Sequence, residues 1–191
     1  MALQVGTIGL PNAGKSTIFN ALTRAGASVA GYPFTTVDPN HGVAFVPDPR
    51  LEAVSRAAGC ERTVPADLRV VDIAGLVEGA HQGEGLGNQF LAHIREVDAV
   101  AHAVRCFSSP DVAHVRADLD PCADIDVVEA ELMLADLAAV ERRKERIAKA
   151  ARSGDREKAR EMEVLLRAEE GLQRGVPVRR QDLGAEEREV L

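Results

Sequence analysis

The sequence has no tryptophan, one tyrosine and five phenylalanines, so aromatic residues make up only 3% of its 191 positions. Cysteine is nearly as scarce. Cys60, Cys106 and Cys122 are an odd number without C-x-x-C spacing, which excludes a zinc ribbon or a disulfide-stapled secreted scaffold. No charged-then-apolar segment opens the chain, so a reducing, cytoplasmic compartment is the expectation. Long apolar runs are missing too. Gly, Asp, Arg and His interrupt every stretch before it reaches the ~18 residues of a membrane span, and no membrane partner is expected. Lysine occurs four times against 19 arginines, and acidic residues outnumber basic ones 30 to 23, for a formal net charge of −7. That balance argues against broad binding to a phosphate backbone and leaves room only for a local basic patch.

What is present suffices for a globular fold. Apolar residues make up 46% of the chain, and a chain of this length buries roughly 70% of the surface its unfolded form exposes. Charge density divides it. Residues 1–125 carry 9 basic and 14 acidic side chains, while the 66 residues from Asp126 to Leu191 carry 14 and 16. In this second part Val127, Leu134, Leu137, Val140 and Ile147 recur at helical spacing, and Glu141, Arg142, Lys144 and Glu145 fall on the other side. Ser153-Gly154-Asp155 breaks the pattern, Asp155 caps a second helix to about Gln173, and Gly175 with Pro177 ends it. The spacing predicts an antiparallel helical hairpin.

The first part reads as α/β. Leu3 to Ile8, Val43 to Val46, Leu68 to Ile73 and Ala99 to Val104 are short apolar runs bounded by Gly, Pro or Asp, the pattern of buried strands. Helices fit between them, over Lys15 to Arg24, Pro49 to Ala58 behind the capping Asp48, and about Gly87 to Arg95.

Gly9-Leu10-Pro11-Asn12-Ala13-Gly14-Lys15-Ser16-Thr17 matches G-x-x-x-x-G-K-[ST] between the first strand and the first helix, where a phosphate loop belongs. The glycines let successive N–H groups of Asn12 to Thr17 turn inward, and the helix adds the positive end of its dipole. Lys15 then offers a point charge to the β and γ phosphates and Ser16 a hydroxyl to Mg²⁺. Asp72-Ile73-Ala74-Gly75 closes the third strand 57 positions after Lys15. In a chain with a phosphate loop, Asp72 is placed to hold Mg²⁺ through water and the Gly75 N–H to meet the γ-phosphate. Lys15 and Gly75 are thus the candidate catalytic residues. A hydroxyl from Gly31-Tyr32-Pro33-Phe34-Thr35-Thr36 would complete the metal shell as a switch loop does. Five glycines in the thirteen residues from Gly75 to Gly87 carry a large ordering entropy, so this loop is expected to order around nucleotide or partner.

These elements, in this order and wording, resemble the Obg-like ATPases, the YchF group within the translation-factor class of P-loop nucleotidases. The likeness rests on Gly9 to Thr17, Tyr32 to Thr36, Asp72 to His81 and Gly83 to Leu91, and extends through Asp98 to Phe107 and the hairpin. The resemblance implies a P-loop G-domain with a mostly parallel, here incomplete, sheet over 1–125 and a charged helical insert over 126–191. It further implies hydrolysis of ATP in preference to GTP, Mg²⁺ at Ser16 and Thr36, K⁺ at Asn12, and association with ribosomes and large-subunit factors. The family's remaining strands, base-reading loop and C-terminal TGS domain are expected beyond residue 191, so the choice of base is not legible here. Leu76 stands where Ras-like enzymes carry a water-orienting glutamine, and leucine can neither donate nor accept a hydrogen bond. Slow intrinsic turnover is expected, with K⁺ at Asn12, loop backbone, His81 or His114 as candidates for placing water. Other readings are a nucleotide-gated binding module or GTPase in which hydrolysis is incidental, and an inactive phosphate-binding fragment. Arg142, Arg143 and Arg146 form a short basic cluster, and without interleaved aromatics no sequence-specific nucleic-acid reading is expected. Finally, the run from Ala99 to Val104 would lie at a sheet edge in this chain, which predicts poor solubility or marginal stability alone.

Overall fold

A computed structural model describes residues 3–23, 39–73, 86–109, 112 and 119–191. The chain divides into two compact units, Met1–Ile125 and Asp126–Leu191. In the first unit the elements run β1 (Gln4–Ile8), α1 (Lys15–Thr23), β2 (Asn40–Phe45), α2 (Pro49–Ala58), β3 (Asp67–Asp72), α3 (Leu86–Arg95) and β4 (Ala99–His102). The strands form one mixed sheet in the order β2-β3-β1-β4. β1 pairs in parallel with β3 and β4, whereas β2 runs antiparallel to β3. Because β1 has neighbours reached by different routes on its two sides, its carboxyl end lies at the crevice where open α/β sheets bind ligands.

α1 closes one face of the sheet. Phe19 is fully buried against Ala44 and Val70, with Leu68 beside them. Gly42 allows that approach, since a Cβ there would come within 2.6 Å of the Thr23 methyl. On the other face, a Cβ at Gly6 would come within 2.6 Å of the end of the Ile73 side chain, which would have to shift to admit it. α2 starts as its sequence predicts: Asp48 accepts a hydrogen bond from the Arg50 N–H, Pro49 takes the first helical position, and left-handed Gly59 ends the helix.

The expected strand Ala99 to Val104 is shorter than its apolar run. β4 stops at His102, although the Ala103 N–H still donates to the Ile8 carbonyl at 2.8 Å. It lies at the sheet edge, with Ala99, Val100 and Ala101 exposed.

In the second unit, α4 (Pro121–Arg152) begins within the preceding residues and runs on, and α5 (Arg156–Gln173) returns antiparallel to it after the Asp155 cap. Val140 and Ile147 pack with Leu165 and Leu172, and Arg143 and Lys158 both bond the buried Glu161. The stripe expected at Val127 and Leu134 is displaced by one position. Val128 and Ala135 are buried, whereas Leu134 is exposed. Neighbouring apolar residues make either stripe compatible with helical spacing, and only packing selects one. Beyond Pro177 a 3₁₀ turn (Val178–Arg180) and α6 (Ala185–Arg188) follow. This segment folds back on the hairpin: Leu183 is buried, Gln181 donates to the Ala168 carbonyl, and Arg179 pairs with Glu129. Among the described residues no helix is long and apolar enough to cross a membrane.

Candidate phosphate-loop site

The site is built where β1 and β3 end side by side. Parallel register sets Thr7 opposite Asp72, and the chain after Ile8 turns into residues 9–14 before α1 starts at Lys15. Three positions of this turn have positive φ: Gly9 at 144°, Asn12 at 61° and Gly14 at 95°. Asparagine tolerates the left-handed region better than most residues, and glycine enters it freely. At Gly9 space is limiting as well. A Cβ there would stand 2.3 Å from the Ala103 carbonyl oxygen, so the residue that follows β4 fixes where the loop begins. The Ala13 N–H closes a turn onto the Leu10 carbonyl, and Ile18 N–H donates to the Gly14 carbonyl as the first helical bond.

Two charged residues of opposite sign are buried here. Lys15 is 7% exposed and Asp72 1%. The Lys15 ammonium donates to the Leu10 carbonyl at 2.9 Å. Burial pushes its pKa down from 10.5 to about 8, against the opposing attraction of Asp72. The Ser16 hydroxyl donates to Asp72 Oδ2 at 2.5 Å, and the Thr7 hydroxyl, 2% exposed, reaches Asp72 Oδ1 at 3.2 Å and the Val71 carbonyl at 3.3 Å. Both carboxylate oxygens thus have a hydroxyl partner.

A hydroxyl and a carboxylate converging from α1 and β3 are hard oxygen donors, the type Mg²⁺ takes one or two of while water and phosphate fill its other positions. The donor set fits that ion. Among the described residues no three His, Cys, Asp or Glu side chains cluster as a site made of protein ligands alone would need.

Of the residues predicted from sequence, Lys15, Ser16 and Asp72 converge, and Asn12, Ala13, Gly14 and Thr17 lie on the loop and first turn beside them. Thr36, Gly75, Leu76, His81 and His114 lie outside the described residues. Thr7 was missed. Its signal was a hydroxyl inside an otherwise apolar strand, two residues before the loop, and only the register shows what it faces.

The family described as 50S ribosome-binding GTPase matches residues 4–131, which takes in the sheet, the loop and the start of α4. The chain belongs to this family, in its YchF group. It is 46% identical over all 191 residues to the ribosome-binding ATPase YchF of Bacillus subtilis, covering 52% of that relative. To the Haemophilus influenzae protein of the same name it is 53% identical over 165 residues, 86% of this chain and 46% of the relative. The solved structure of the Schizosaccharomyces pombe YchF GTPase superposes with a TM-score of 0.77 at 37% identity, over 98% of this chain and 52% of that one. The chain spans about half the length of these relatives.

Proposed function

We propose that this chain binds a nucleoside triphosphate by its phosphates and hydrolyses the γ-phosphate, with ATP preferred to GTP, as the nucleotide-responsive part of a ribosome-associated switch in the cytoplasm. The observation that carries this is the convergence of the Lys15 ammonium and the Ser16–Asp72 pair at the carboxyl end of β1. A buried cation beside a glycine-rich turn and a helix N-terminus is built to meet phosphate oxygens. Ser16 and Asp72, with Thr36, would hold Mg²⁺, which supplies neutralisation of charge developing on the β and γ phosphates. Asn12 would hold K⁺ beside the same phosphates. Gly75 would offer its N–H to the γ-phosphate. Residues 1–125 would then be the G-domain core and 126–191 its helical insert.

The relatives' names are the support for ATP and for the ribosome as partner. For the rate, the support is Leu76, which offers attacking water no hydrogen bond. Single-turnover release of phosphate from radiolabelled ATP and GTP, with and without Mg²⁺ and K⁺, tests the reading. Slow hydrolysis that requires Mg²⁺, rises with K⁺ and vanishes in Lys15→Ala is the expected result. Binding of ATP that survives Lys15→Ala would overturn it.

A further inference from the structure

β2 is an unguarded sheet edge. It ends the order β2-β3-β1-β4, so among the described residues it is bonded on one side only. Its pairing with β3 runs without a bulge from Asn40↔Asp72 to Phe45↔Asp67, and it continues where the Val46 N–H donates to the Ala66 carbonyl at 2.9 Å. Inward-bonded and outward-facing residues alternate along an antiparallel ladder. The bond at Val46 therefore turns the backbone groups of Gly42 and Ala44 toward β3, and it leaves the N–H and C=O of His41, Val43 and Phe45 directed away from the sheet. Native edges are commonly blunted by a lysine, a proline or a bulge. Asn40-His41-Gly42-Val43-Ala44-Phe45 has none of these. Side chains follow the same alternation. Gly42 and Ala44 face Phe19 of α1, which puts His41, Val43 and Phe45 together on the opposite face. All three are exposed, Val43 at 45% and Phe45 at 65%.

Backbone, charge and symmetry together select the occupant. The outward N–H and C=O groups call for another extended strand. No residue of β2 is charged, and residues 39–72 carry 4 basic and 5 acidic side chains, 4 − 5 = −1 out of the chain's −7. A second copy therefore meets little repulsion here. The strand is also its own complement: a two-fold axis through Val43 sets Val43 against Val43 and each His41 against the second copy's Phe45. Every outward group is then paired, in about six backbone hydrogen bonds. One valine pair and two histidine–phenylalanine pairs are favourable cross-strand neighbours, and no like charges face each other. We propose that β2 is a homodimer interface, at which two copies of this chain join their sheets edge to edge, antiparallel, about Val43. This proposal is independent of the nucleotide reading.

Sedimentation velocity of the 191-residue chain over about 1–200 µM tests it, since a short edge interface associates weakly and with concentration. The unaltered chain should pass from monomer to dimer and no further. Val43→Lys sets two ammonium groups against each other across the axis, and it should raise the dissociation constant at least tenfold with the melting temperature unchanged. Val43→Glu should do the same. An equimolar mixture of these two variants should associate at least tenfold more tightly than either alone, because opposite charges then meet at the axis. Val64→Lys, at a residue 67% exposed and outside the strand, should change nothing. Amide exchange reads the backbone directly: at high concentration His41, Val43 and Phe45 should slow while Gly42 and Ala44 stay as they were. An undiminished dimer in Val43→Lys, an equal loss in Val64→Lys, or a mixture that stays monomeric would each overturn the proposal. So would a dimer lost only in Val100→Lys, which would make β4 the interface. A monomer at every concentration would overturn it as well, and would leave a strand of another protein as what this edge accepts.

Discussion

The Ser16 hydroxyl and the Asp72 carboxylate, 56 positions apart in the chain, meet at 2.5 Å where α1 begins and β3 ends. On the proposed reading neither residue would serve a divalent ion well alone, and their convergence would set the metal requirement. Asp72→Asn and Ser16→Ala should each raise the Mg²⁺ concentration needed for ATP binding at least tenfold, with little change in Mg²⁺-free nucleotide affinity for Ser16→Ala. Titration of Mg²⁺ against a fluorescent ATP analogue measures both.

Thr7 holds the far oxygen of the same carboxylate. Thr7→Val keeps the shape and removes the donor, which leaves a buried carboxylate oxygen short of a partner. A loss of about 1–3 kcal/mol in urea unfolding is expected, together with weaker Mg²⁺ binding. Thr7→Ser should restore the metal affinity. If valine and serine bind the ion equally well, Thr7 only fills space.

Burial of Lys15 costs stability that phosphate binding would recover on the proposed reading. With the folded pKa at about 8 and the unfolded one at 10.5, the charged lysine destabilises the fold fully below pH 8. Between these values the native chain releases its proton first, so stability rises with pH by about 3 kcal/mol in total. Lys15→Met should therefore melt higher at pH 7 by about 2 kcal/mol, after about 1 for the lost bond to Leu10, and bind no nucleotide. The advantage should fade toward pH 10. Thermal melts of both chains at pH 7, 8.5 and 10 decide it.

Gly9→Ala should destabilise the first unit by more than about 2 kcal/mol, since the added methyl meets the Ala103 carbonyl and the backbone sits at φ 144°. Hydrogen exchange of the β1 and β4 amides would report the loss locally.

In the hairpin, Leu165→Ala removes a side chain 2% exposed from among Val140, Ile147 and Leu172. A cost of about 2–5 kcal/mol is expected. Helical content by circular dichroism should melt earlier, with ATP affinity unchanged.

Short-range chemistry was legible without the structure. The glycine-rich loop with Lys15 and Ser16, the Asp48-Pro49 and Asp155 helix starts and the hairpin all follow from what each residue does to its neighbours in the chain, whereas the meeting of Ser16 with Asp72 needs the β1/β3 register. A motif is local, and so are caps and turn glycines. The tertiary structure alone decided that β2 runs antiparallel at one edge, that β4 ends at His102, that Val128 and not Val127 is fully buried, and that the segment after Pro177 folds back over the hairpin. It also decided the partners of Thr7, the burial that lowers the Lys15 pKa, and which arginines of α4 are left for solvent. Those properties depend on register and on desolvation by residues dozens of positions away, and no pattern of nearest neighbours encodes them.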